Sequence, residues 1–218
     1  MDAQRTAPPT ELVFCRALNI IVALAGLVVA SPLMLAIGIL VKATSRGPVL
    51  FRQQRIGVNR RTRAPSADDD GDAGGRPFTM LKFRTMRTAH ADAPQVWASA
   101  TDPRITPVGH LLRRLRLDEL PQLVNVLCGD MNVVGPRPEQ PAIVRQLRLH
   151  VEGYARRHCV RPGITGLAQI SLPYDQSIDY VRRKVELDLE YIRQPSPLRD
   201  LQIMARTPLV MLGRRGAL

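Results

Sequence analysis

The chain begins with a long hydrophobic segment. From Ala17 to Val41 it contains no charged residue, and Arg16 and Lys42 stand at the two ends of this run. The run exceeds the roughly 20 residues that an apolar helix needs to cross a bilayer. It is also too long for the apolar part of a cleaved signal peptide. The pattern therefore predicts a helix that attaches the protein to a membrane.

Ser31 and Pro32 lie near the middle of this segment. Proline removes one backbone donor, which predicts a kink, and the serine hydroxyl can bond a freed carbonyl. Two topologies fit: a kinked span, or a helix–break–helix that enters one leaflet and returns. Arginines follow the segment more densely than they precede it, so the following chain is predicted to be cytoplasmic. The pattern alone favours the span, because kinked spans are common.

Beyond residue 42, the periodicity predicts mostly helices with a few short strands, an α+β arrangement. The predicted elements are an extended segment at Phe78–Met86, a basic amphipathic helix at Val108–Leu117, a helical stretch at Leu117–Leu127 that ends at Gly129, rigid turns at Gly135–Pro138 and Arg161–Gly163, a helix over residues 178–193 and an apolar tail at Leu198–Leu212. The last two could lie on a membrane surface or pack in the core, and for 178–193 the pattern favours neither.

Charge and composition narrow the classes of partner. The chain has 31 basic residues against 19 acidic ones, and all but three of the basic residues are arginines. Arginine binds phosphate in a bidentate way, so the excess suggests a polyanionic partner, although a solvated basic surface would have the same composition. Aromatic residues make up only 4%, which argues against single-stranded nucleic acid. The three cysteines lack zinc-ligand spacing and predict no disulfide framework.

Two groups of carboxylates are candidates for chemistry. The stretch Pro65–Gly75 holds four aspartates among small residues, which predicts a flexible loop rather than a metal site. Asp118 and Glu119 follow a cluster of arginines, and Pro121 places them at the N-terminus of a helix, where anions are favoured. Ionised carboxylates can hold Mg²⁺ or attack phosphorus, whereas an isolated pair is usually a helix cap. Four basic residues would favour the chemistry if they converge there: Lys82, Arg84, Arg113 and Arg137.

The motifs occur in a specific order. The apolar segment with Ser31-Pro32 is followed by GPVLFRQQRIG at 47–57, PFTMLKFRTM at 77–86, a long stretch from TDPR to GPRP at 101–138, and VRPGITGLAQ at 160–169. This ordered set resembles the small monotopic phosphoglycosyl transferases, also called bacterial sugar transferases. The resemblance covers most of the chain, from about Arg16 to Leu212.

The resemblance implies a reaction and a set of site residues. Such enzymes transfer a sugar-1-phosphate from a UDP-sugar to a polyprenyl (undecaprenyl) phosphate at the cytoplasmic face of the bacterial inner membrane, and UMP leaves. By this resemblance, Asp118 is the nucleophile that forms a covalent phospho-sugar intermediate, and Glu119 supports the site. The pair would hold Mg²⁺ as the cofactor. Substrate binding would involve Lys82, Arg84, Arg113, Arg137 and the prolines Pro136 and Pro138.

The resemblance also implies a membrane topology that differs from the pattern-based one. It predicts a re-entrant helix at 17–41, broken at Ser31-Pro32, with both ends cytoplasmic. The expected organisation is a cytosolic segment at 1–16, this helix, and a compact catalytic domain at 42–218 with interfacial helices over 178–212. Exposed apolar surface would face membrane lipids or support a homodimer.

One stretch departs from the family's pattern, and two rival functions stay open. After Gln169, many relatives carry an Asn-Gly-Arg-like stretch, whereas this chain reads ISLPYD, so the sugar is not predicted. The rivals are a membrane-tethered protein that binds anionic lipid or nucleic acid, and an inactive paralogue that serves as a scaffold. The enzyme needs Asp118, Mg²⁺ and a UDP-sugar. A binder needs none of these, and its affinity should fall steeply with salt.

Overall fold

The computed structural model of the protein describes residues 9–59, 74–87, 102–173 and 177–213. Within these ranges the chain is mostly helical with a few short strands, which confirms the predicted class. The predicted acidic loop lies outside the described residues except for Gly74 and Gly75, and residues 1–8 also lie outside them.

The hydrophobic segment forms one helix, α1, from Pro9 to Thr44. It starts earlier than the predicted residue 17, because the uncharged run marks only part of the helix. The helix continues through Ser31 and Pro32, so these residues lie inside it, and the break at Ser31-Pro32 stays a prediction. Pro32 cannot donate to the Val28 carbonyl, and the Ser31 hydroxyl donates to that carbonyl instead, at 2.8 Å. The serine therefore satisfies the freed carbonyl, as predicted.

Two small sheets and six shorter helices make up the rest of the described chain. Strand β1 (Leu50–Ile56) pairs antiparallel with β2 (Pro77–Phe83), and Leu50 faces Phe83. The other elements, in chain order, are α2 (Pro107–Arg114), a 3₁₀ turn (Leu117–Glu119), α3 (Gln122–Cys128), β3 (Asn132–Val134), α4 (Pro141–His150), a second 3₁₀ turn (Tyr154–Cys159), β4 (Gly163–Thr165), α5 (Leu167–Ser171), α6 (Ile178–Arg193) and α7 (Pro197–Gly213).

The predicted elements correspond to β2, α2, α3, α6 and α7, with one change near the carboxylates, whereas β1, β3, β4, α4, α5 and the second 3₁₀ turn were not predicted. The helical stretch predicted at 117–127 is divided into the first 3₁₀ turn and α3, because Pro121 lies at the start of α3 and has no N–H to continue a helix across it. Gly129 ends α3 in the left-handed conformation (φ 87°), as predicted.

Strands β3 and β4 form a short parallel pair that brings the two predicted rigid turns together. The Gly163 N–H donates to the Pro136 carbonyl at 2.9 Å. A Cβ on Gly163 would lie 2.1 Å from the Gly135 nitrogen, so only glycine allows the two backbones to approach this closely. Residues 135–138, which we name the Arg137 loop, are therefore fixed against the turn at 161–163.

The apolar face of α6 belongs to the protein core. Val181 and Val185 are buried in a cluster with Ile56 and Val144. The core interpretation is therefore right for 178–193, and the predicted interfacial role of this helix is wrong. Helix α7 differs, since it leaves four large apolar side chains exposed: Leu198, Leu201, Leu209 and Met211.

Helix α1 is long and apolar enough to cross a membrane, and only 11% of its most apolar window is buried in the described protein. A straight α-helix of 36 residues is about 54 Å long. Both halves nevertheless pack on the same domain. Ala23 lies in a buried cluster with Leu123 and Val126 of α3. Ile37 and Val41 lie in another, with Phe83 and Leu112.

Candidate active site

Asp118 and Glu119, the carboxylate pair, form part of the first 3₁₀ turn and are buried, with 6% and 5% of their surfaces exposed. The turn follows Arg116, whose backbone is left-handed (φ 56°, ψ 18°). Among the described residues, Arg116 is the one non-glycine residue with a positive φ. Such a conformation costs about 1–3 kcal/mol and is concentrated at functional sites. The strain therefore lies at the residue that redirects the chain from α2 into the carboxylate pair.

Three basic side chains surround Glu119. Arg137 donates from Nη2 to Oε1 at 2.6 Å and from Nη1 to Oε2 at 3.3 Å, while Lys82 Nζ donates to Oε1 at 3.0 Å. Arg116 Nη1 lies 3.6 Å from the same Oε1. Burial alone would raise the pKa of Glu119, but Arg137 and Lys82 outweigh burial and hold that pKa well below its usual range. Glu119 is therefore ionised, with both oxygens engaged.

Asp118 has fewer partners. Its Oδ2 lies 3.9 Å from Lys82 Nζ, and its buried Oδ1 has no hydrogen-bond partner within the described part of the chain. Burial raises the pKa of Asp118, and Lys82 opposes that shift. A desolvated carboxylate oxygen without donors keeps its lone pairs available for phosphorus or a metal ion. The two adjacent carboxylates therefore differ, because cations engage both oxygens of Glu119, whereas Asp118 has one oxygen without a partner in the described part of the chain.

Arg113 approaches the carboxylate pair from α2. Its Nε donates to the Thr85 hydroxyl at 2.9 Å, which fixes the half-buried guanidinium. Burial lowers the pKa of Arg113, and the charge of Asp118 acts in the opposite direction, so the two groups lie within electrostatic reach. The fold thus brings three of the four predicted basic residues to the carboxylate pair: Lys82, Arg113 and Arg137.

Arg84 does not join them, and this prediction needs correction. Its buried Nη2 donates to the Ser45 carbonyl at 2.7 Å and to the Ser45 hydroxyl at 2.8 Å, just beyond the end of α1. The negative end of a helix dipole favours a cation there. Strand β2 ends at Phe83, so the alternation that orients Lys82 does not extend to Arg84. Arg84 therefore joins the membrane helix to β2.

The Arg137 loop is held by its backbone. Pro136 and Pro138 are both buried. The Pro136 carbonyl accepts from Gly163 and the Pro138 carbonyl accepts from Arg55 Nη1 at 3.1 Å. Because proline also fixes φ, these two residues make the loop rigid around Arg137. Their observed contacts are thus with neighbouring protein segments.

A buried ion pair lies behind this loop. Arg157 Nε donates to Asp188 Oδ2 at 2.7 Å, and the two side chains are 2% and 3% exposed. The same guanidinium donates from Nη1 to the Tyr154 hydroxyl at 2.8 Å and from Nη2 to the Arg137 carbonyl at 3.0 Å. An arginine of the second 3₁₀ turn and an acid of α6 therefore fix the backbone that presents Arg137.

Sequence reasoning missed this second layer. Besides the Arg157–Asp188 pair, it includes Glu139, which lies 3.4 Å from Arg55 and 2.6 Å from Lys184. The sequence pattern could have identified Asp188, because helical spacing places it on the buried face of α6, where an acid needs a partner. No sequence pattern identifies Glu139, since its partners come from β1 and α6, far away in the sequence.

The donor set suits a hard cation that arrives with a substrate. No group of three or more acidic, histidine or cysteine residues able to hold a metal occurs within the described ranges. Mg²⁺, however, is usually held by one or two carboxylates together with substrate phosphates and water. The unpartnered Oδ1 of Asp118 fits this role. The cations around the carboxylate pair can offset phosphate charge that would otherwise repel an attacking carboxylate.

Comparison with known proteins agrees with this chemistry. The family described as bacterial sugar transferase matches residues 10–214. A UDP-glucose:undecaprenyl-phosphate glucose-1-phosphate transferase of Escherichia coli (strain K12) is 42% identical over 88% of this chain and 39% of its own length. A UDP-N-acetylgalactosamine-undecaprenyl-phosphate N-acetylgalactosaminephosphotransferase of Aeromonas hydrophila is 40% identical over 93% of this chain and 44% of its own.

The relatives differ in length. The chain spans about two-fifths of the two transferases just described. An exopolysaccharide production protein PSS of Rhizobium leguminosarum bv. phaseoli is 38% identical over 94% of this chain and 98% of its own length. The similarity therefore concerns a unit that some relatives carry as part of a longer chain.

Proposed function

Since the chain belongs to the bacterial sugar transferase family, we propose that it transfers a sugar-1-phosphate from a UDP-sugar to a polyprenyl phosphate, with UMP as the leaving group. The names of its relatives state UDP-glucose or UDP-N-acetylgalactosamine as donor and undecaprenyl phosphate as acceptor. The reaction would begin the assembly of a polysaccharide or another glycoconjugate, in keeping with the exopolysaccharide in the name of the Rhizobium relative.

The observation that carries the proposal is the difference in hydrogen-bond partners between Asp118 and Glu119. Glu119 is saturated by Arg137 and Lys82, whereas the buried Oδ1 of Asp118 has no partner among the described residues. A structural ion pair accounts for Glu119, but it leaves the buried Oδ1 of Asp118 unsatisfied, which is unfavourable unless a ligand binds there. One engaged and one unengaged carboxylate, surrounded by cations, is the arrangement that a phosphate-directed nucleophile needs.

In the proposed mechanism, Asp118 attacks the β-phosphorus of the UDP-sugar. A carboxylate oxygen forms the new bond to phosphorus, the bond to the bridging oxygen breaks, and UMP leaves with that electron pair. A phosphate oxygen of the polyprenyl acceptor then attacks the same phosphorus and releases the Asp118 carboxylate unchanged. The two half-reactions use one site in turn, so a soluble donor and a lipid acceptor need not bind together.

The basic residues lower the electrostatic barrier to the first half-reaction. Lys82 and Arg137 are already held by Glu119 in fixed positions, so they need not reorganise when a diphosphate arrives. Arg113, fixed by Thr85, supplies further positive charge near Asp118. Asp118 would hold Mg²⁺ together with the donor phosphates, and the ion would neutralise charge on the leaving UMP. Glu119, predicted from the resemblance as a second ligand, has both oxygens engaged by Arg137 and Lys82 and would support the site by holding these cations.

We further propose that α1 is re-entrant, with both ends at the cytoplasmic face of the inner membrane. Two contacts support this topology. Arg16 near the start of α1 donates to the Met131 carbonyl, and Arg84 donates to Ser45 just after its end. A straight span would carry one end of the helix across the bilayer and away from the domain. The exposed apolar side chains of α7 would lie at the same lipid surface.

UMP release tests the function directly. The full chain in nanodiscs would receive Mg²⁺, undecaprenyl phosphate and either UDP-glucose or UDP-N-acetylgalactosamine. We expect UMP release with one donor, and loss of release in Asp118→Asn. The matched control is Asp179→Asn, which makes the same chemical change at an exposed ion pair and should leave the rate unchanged.

A second readout tests the intermediate. Without acceptor, enzyme incubated with donor labelled in the β-phosphate should retain about one label per chain, and Asp118→Asn should retain none. Release that survives Asp118→Asn would refute the assignment of the nucleophile. Binding of the chain to anionic vesicles that weakens with salt, without any UMP release, would favour the binding protein instead.

A further inference from the structure

Asn19 is a fully buried polar residue in the hydrophobic helix α1. Burying an amide in apolar surroundings is unfavourable unless its hydrogen bonds are made. The Oδ1 of Asn19 accepts from the Val133 N–H at 2.5 Å and from the Val134 N–H at 3.2 Å. One side chain of the membrane helix therefore binds two consecutive backbone donors of strand β3.

Strand β3 leads directly into the Arg137 loop. Val134 is its last residue, and the loop begins at Gly135. The Gly135 N–H donates to the Thr165 carbonyl at 2.9 Å, so the loop is held by β4 on one side. Asn19 holds the strand just before it. The position of the Arg137 guanidinium thus depends on a contact between residues 114 positions apart in the chain.

The Asn19 amide is itself oriented by a buried acid. Its Nδ2 donates to the Cys15 carbonyl of the same helix at 2.6 Å and to Asp200 Oδ2 at 3.3 Å, and the Tyr191 hydroxyl donates to Asp200 Oδ1 at 2.7 Å. Asp200 and Asn19 are both fully buried, and Tyr191 is nearly so. These contacts direct Nδ2 toward Cys15 and Asp200 and leave Oδ1 for β3. Helices α1 and α7 and strand β3 therefore meet at this one amide, and Tyr191 of α6 reaches it through Asp200.

Arg16 reinforces the same connection from one turn earlier on α1. Its Nη1 donates to the Met131 carbonyl at 2.9 Å and to the Asn132 side-chain oxygen at 3.0 Å, and its Nη2 donates to the Val126 carbonyl at 2.6 Å. Arg16 therefore holds the chain between α3 and β3, and Asn19 holds β3 itself. The segment between the carboxylate pair and the Arg137 loop is tied to the membrane helix along this length.

We propose that Asn19 is a positioning residue, which sets the Arg137 loop relative to the carboxylate pair through its bonds to Val133 and Val134. This inference rests on the proposed function, since the loop is taken to bind the donor diphosphate. Helix α1 then does more than anchor the protein, because a change in its position relative to the domain moves β3 and hence Arg137. The donor site and the lipid-embedded helix form one mechanical unit.

The first test is Asn19→Leu, which keeps the size of the side chain and leaves both β3 donors unpaired. We expect the KM for the UDP-sugar to rise about tenfold, the effect of one or two lost buried hydrogen bonds, with little change in the KM for the polyprenyl phosphate. The matched control is Val41→Ala, at the other end of the same helix, where a buried apolar contact is lost. It should reduce thermal stability without changing the donor KM.

A double-mutant cycle separates positioning from general weakening. If Asn19 acts through Arg137, then Asn19→Leu should have no further effect on the donor KM in an Arg137→Ala background. Full additivity in that background would overturn the proposal, because the substitution would then act independently of Arg137. So would a donor KM in Asn19→Leu that equals the one in Val41→Ala.

An exchange of groups keeps the test decisive if Asn19→Leu does not fold. In the double variant with Asn19→Asp and Asp200→Asn, the carboxylate can accept from β3 and the new amide can donate to it, so the contacts between elements are retained. We expect the double variant to recover part of the donor KM that Asn19→Asp alone impairs, since the single change places two acidic groups in buried contact and the second change separates that charge. Both variants lose the bond to the Cys15 carbonyl, so the comparison between them isolates the contact with position 200. A double variant as impaired as the single one would overturn the proposal.

Amide hydrogen exchange tests the coupling between Asn19 and the Arg137 loop without relying on enzymatic activity. If the wild-type protein released no UMP from any donor, the function would fail while the coupling could still be measured. Amides of residues 132–139 should exchange faster in Asn19→Leu than in the wild type or in Val41→Ala. Unchanged exchange of this segment would overturn the coupling, whatever the activity.

Discussion

Replacing Asp188 by Asn tests the buried ion pair behind the Arg137 loop. The amide keeps the size of the side chain but removes its charge, so Arg157 loses the acid that it contacts at 2.7 Å. Removing one partner of a buried ion pair costs about 3–5 kcal/mol, because the other charge stays desolvated. Arg157 keeps its hydrogen bonds to the Tyr154 hydroxyl and the Arg137 carbonyl. We therefore expect a loss of about 3 kcal/mol, near the lower bound.

Thermal unfolding in detergent measures this loss. For a chain of this size, each kcal/mol changes Tm by about 2–4 °C, so Asp188→Asn should lower Tm by about 6–12 °C. The control is Asp179→Asn on the same helix. Asp179 pairs with Arg182 at 3.0 Å, but the side chains are 85% and 58% exposed. Exposed pairs contribute little, so the control should unfold like the wild type.

A double variant distinguishes the electrostatic argument from simple loss of packing. Arg157→Met combined with Asp188→Leu removes both charges, and replacing a buried pair by apolar residues is often neutral. We expect it to recover much of the lost Tm. Its donor KM should rise, because the hydrogen bond from Arg157 to the Arg137 carbonyl is gone. Equal Tm changes in Asp188→Asn and Asp179→Asn would refute the reasoning.

Three further predictions concern the backbone, protonation and the metal. Gly163→Ala would put a Cβ 2.1 Å from the Gly135 nitrogen, so β3 and β4 must separate. We expect at least a tenfold loss in kcat/KM for the donor. An unchanged value would contradict the packing argument. Burial, with Arg157 and Arg148, lowers the pKa of His158 to about 3. An unfolded imidazole titrates near 6.5, so the unfolded state binds more protons below that pH and stability falls by about 2 kcal/mol at pH 5. His158→Phe should remove this part of the difference in unfolding free energy between pH 7 and pH 5, and an unchanged difference would refute the assignment. Chelation by EDTA should abolish UMP release and added Mg²⁺ should restore it; full activity in EDTA would exclude the metal from the mechanism.

The local patterns of the sequence determined much of the architecture. The uncharged run predicted α1, and helical spacing predicted α6 with its observed bounds. Alternation predicted β2, and Gly129 predicted the end of α3. These features are set by interactions within a few residues, which is why they can be read without a fold.

Local sequence patterns predicted the residues of the candidate site only in part. Carboxylates among arginines marked Asp118 and Glu119, basic segments marked Lys82, Arg84, Arg113 and Arg137, and the resemblance to a family gave these residues their roles. Arg84 was wrongly included, because two residues in one basic motif look alike in sequence although β2 ends between them. Which basic residue contacts which carboxylate is a matter of long-range packing.

The sequence by itself determined that this protein has an N-terminal helix long and apolar enough to cross a membrane, a mostly helical fold and a carboxylate pair in basic surroundings. Only the tertiary structure decided that Glu119 is saturated while Asp118 is not, and that α6 lies in the core. It also decided that Asn19 in the membrane helix binds the strand before the Arg137 loop. The physical reason is that periodicity and composition act locally, whereas burial and pairing of polar groups depend on segments that meet only when the whole chain has packed.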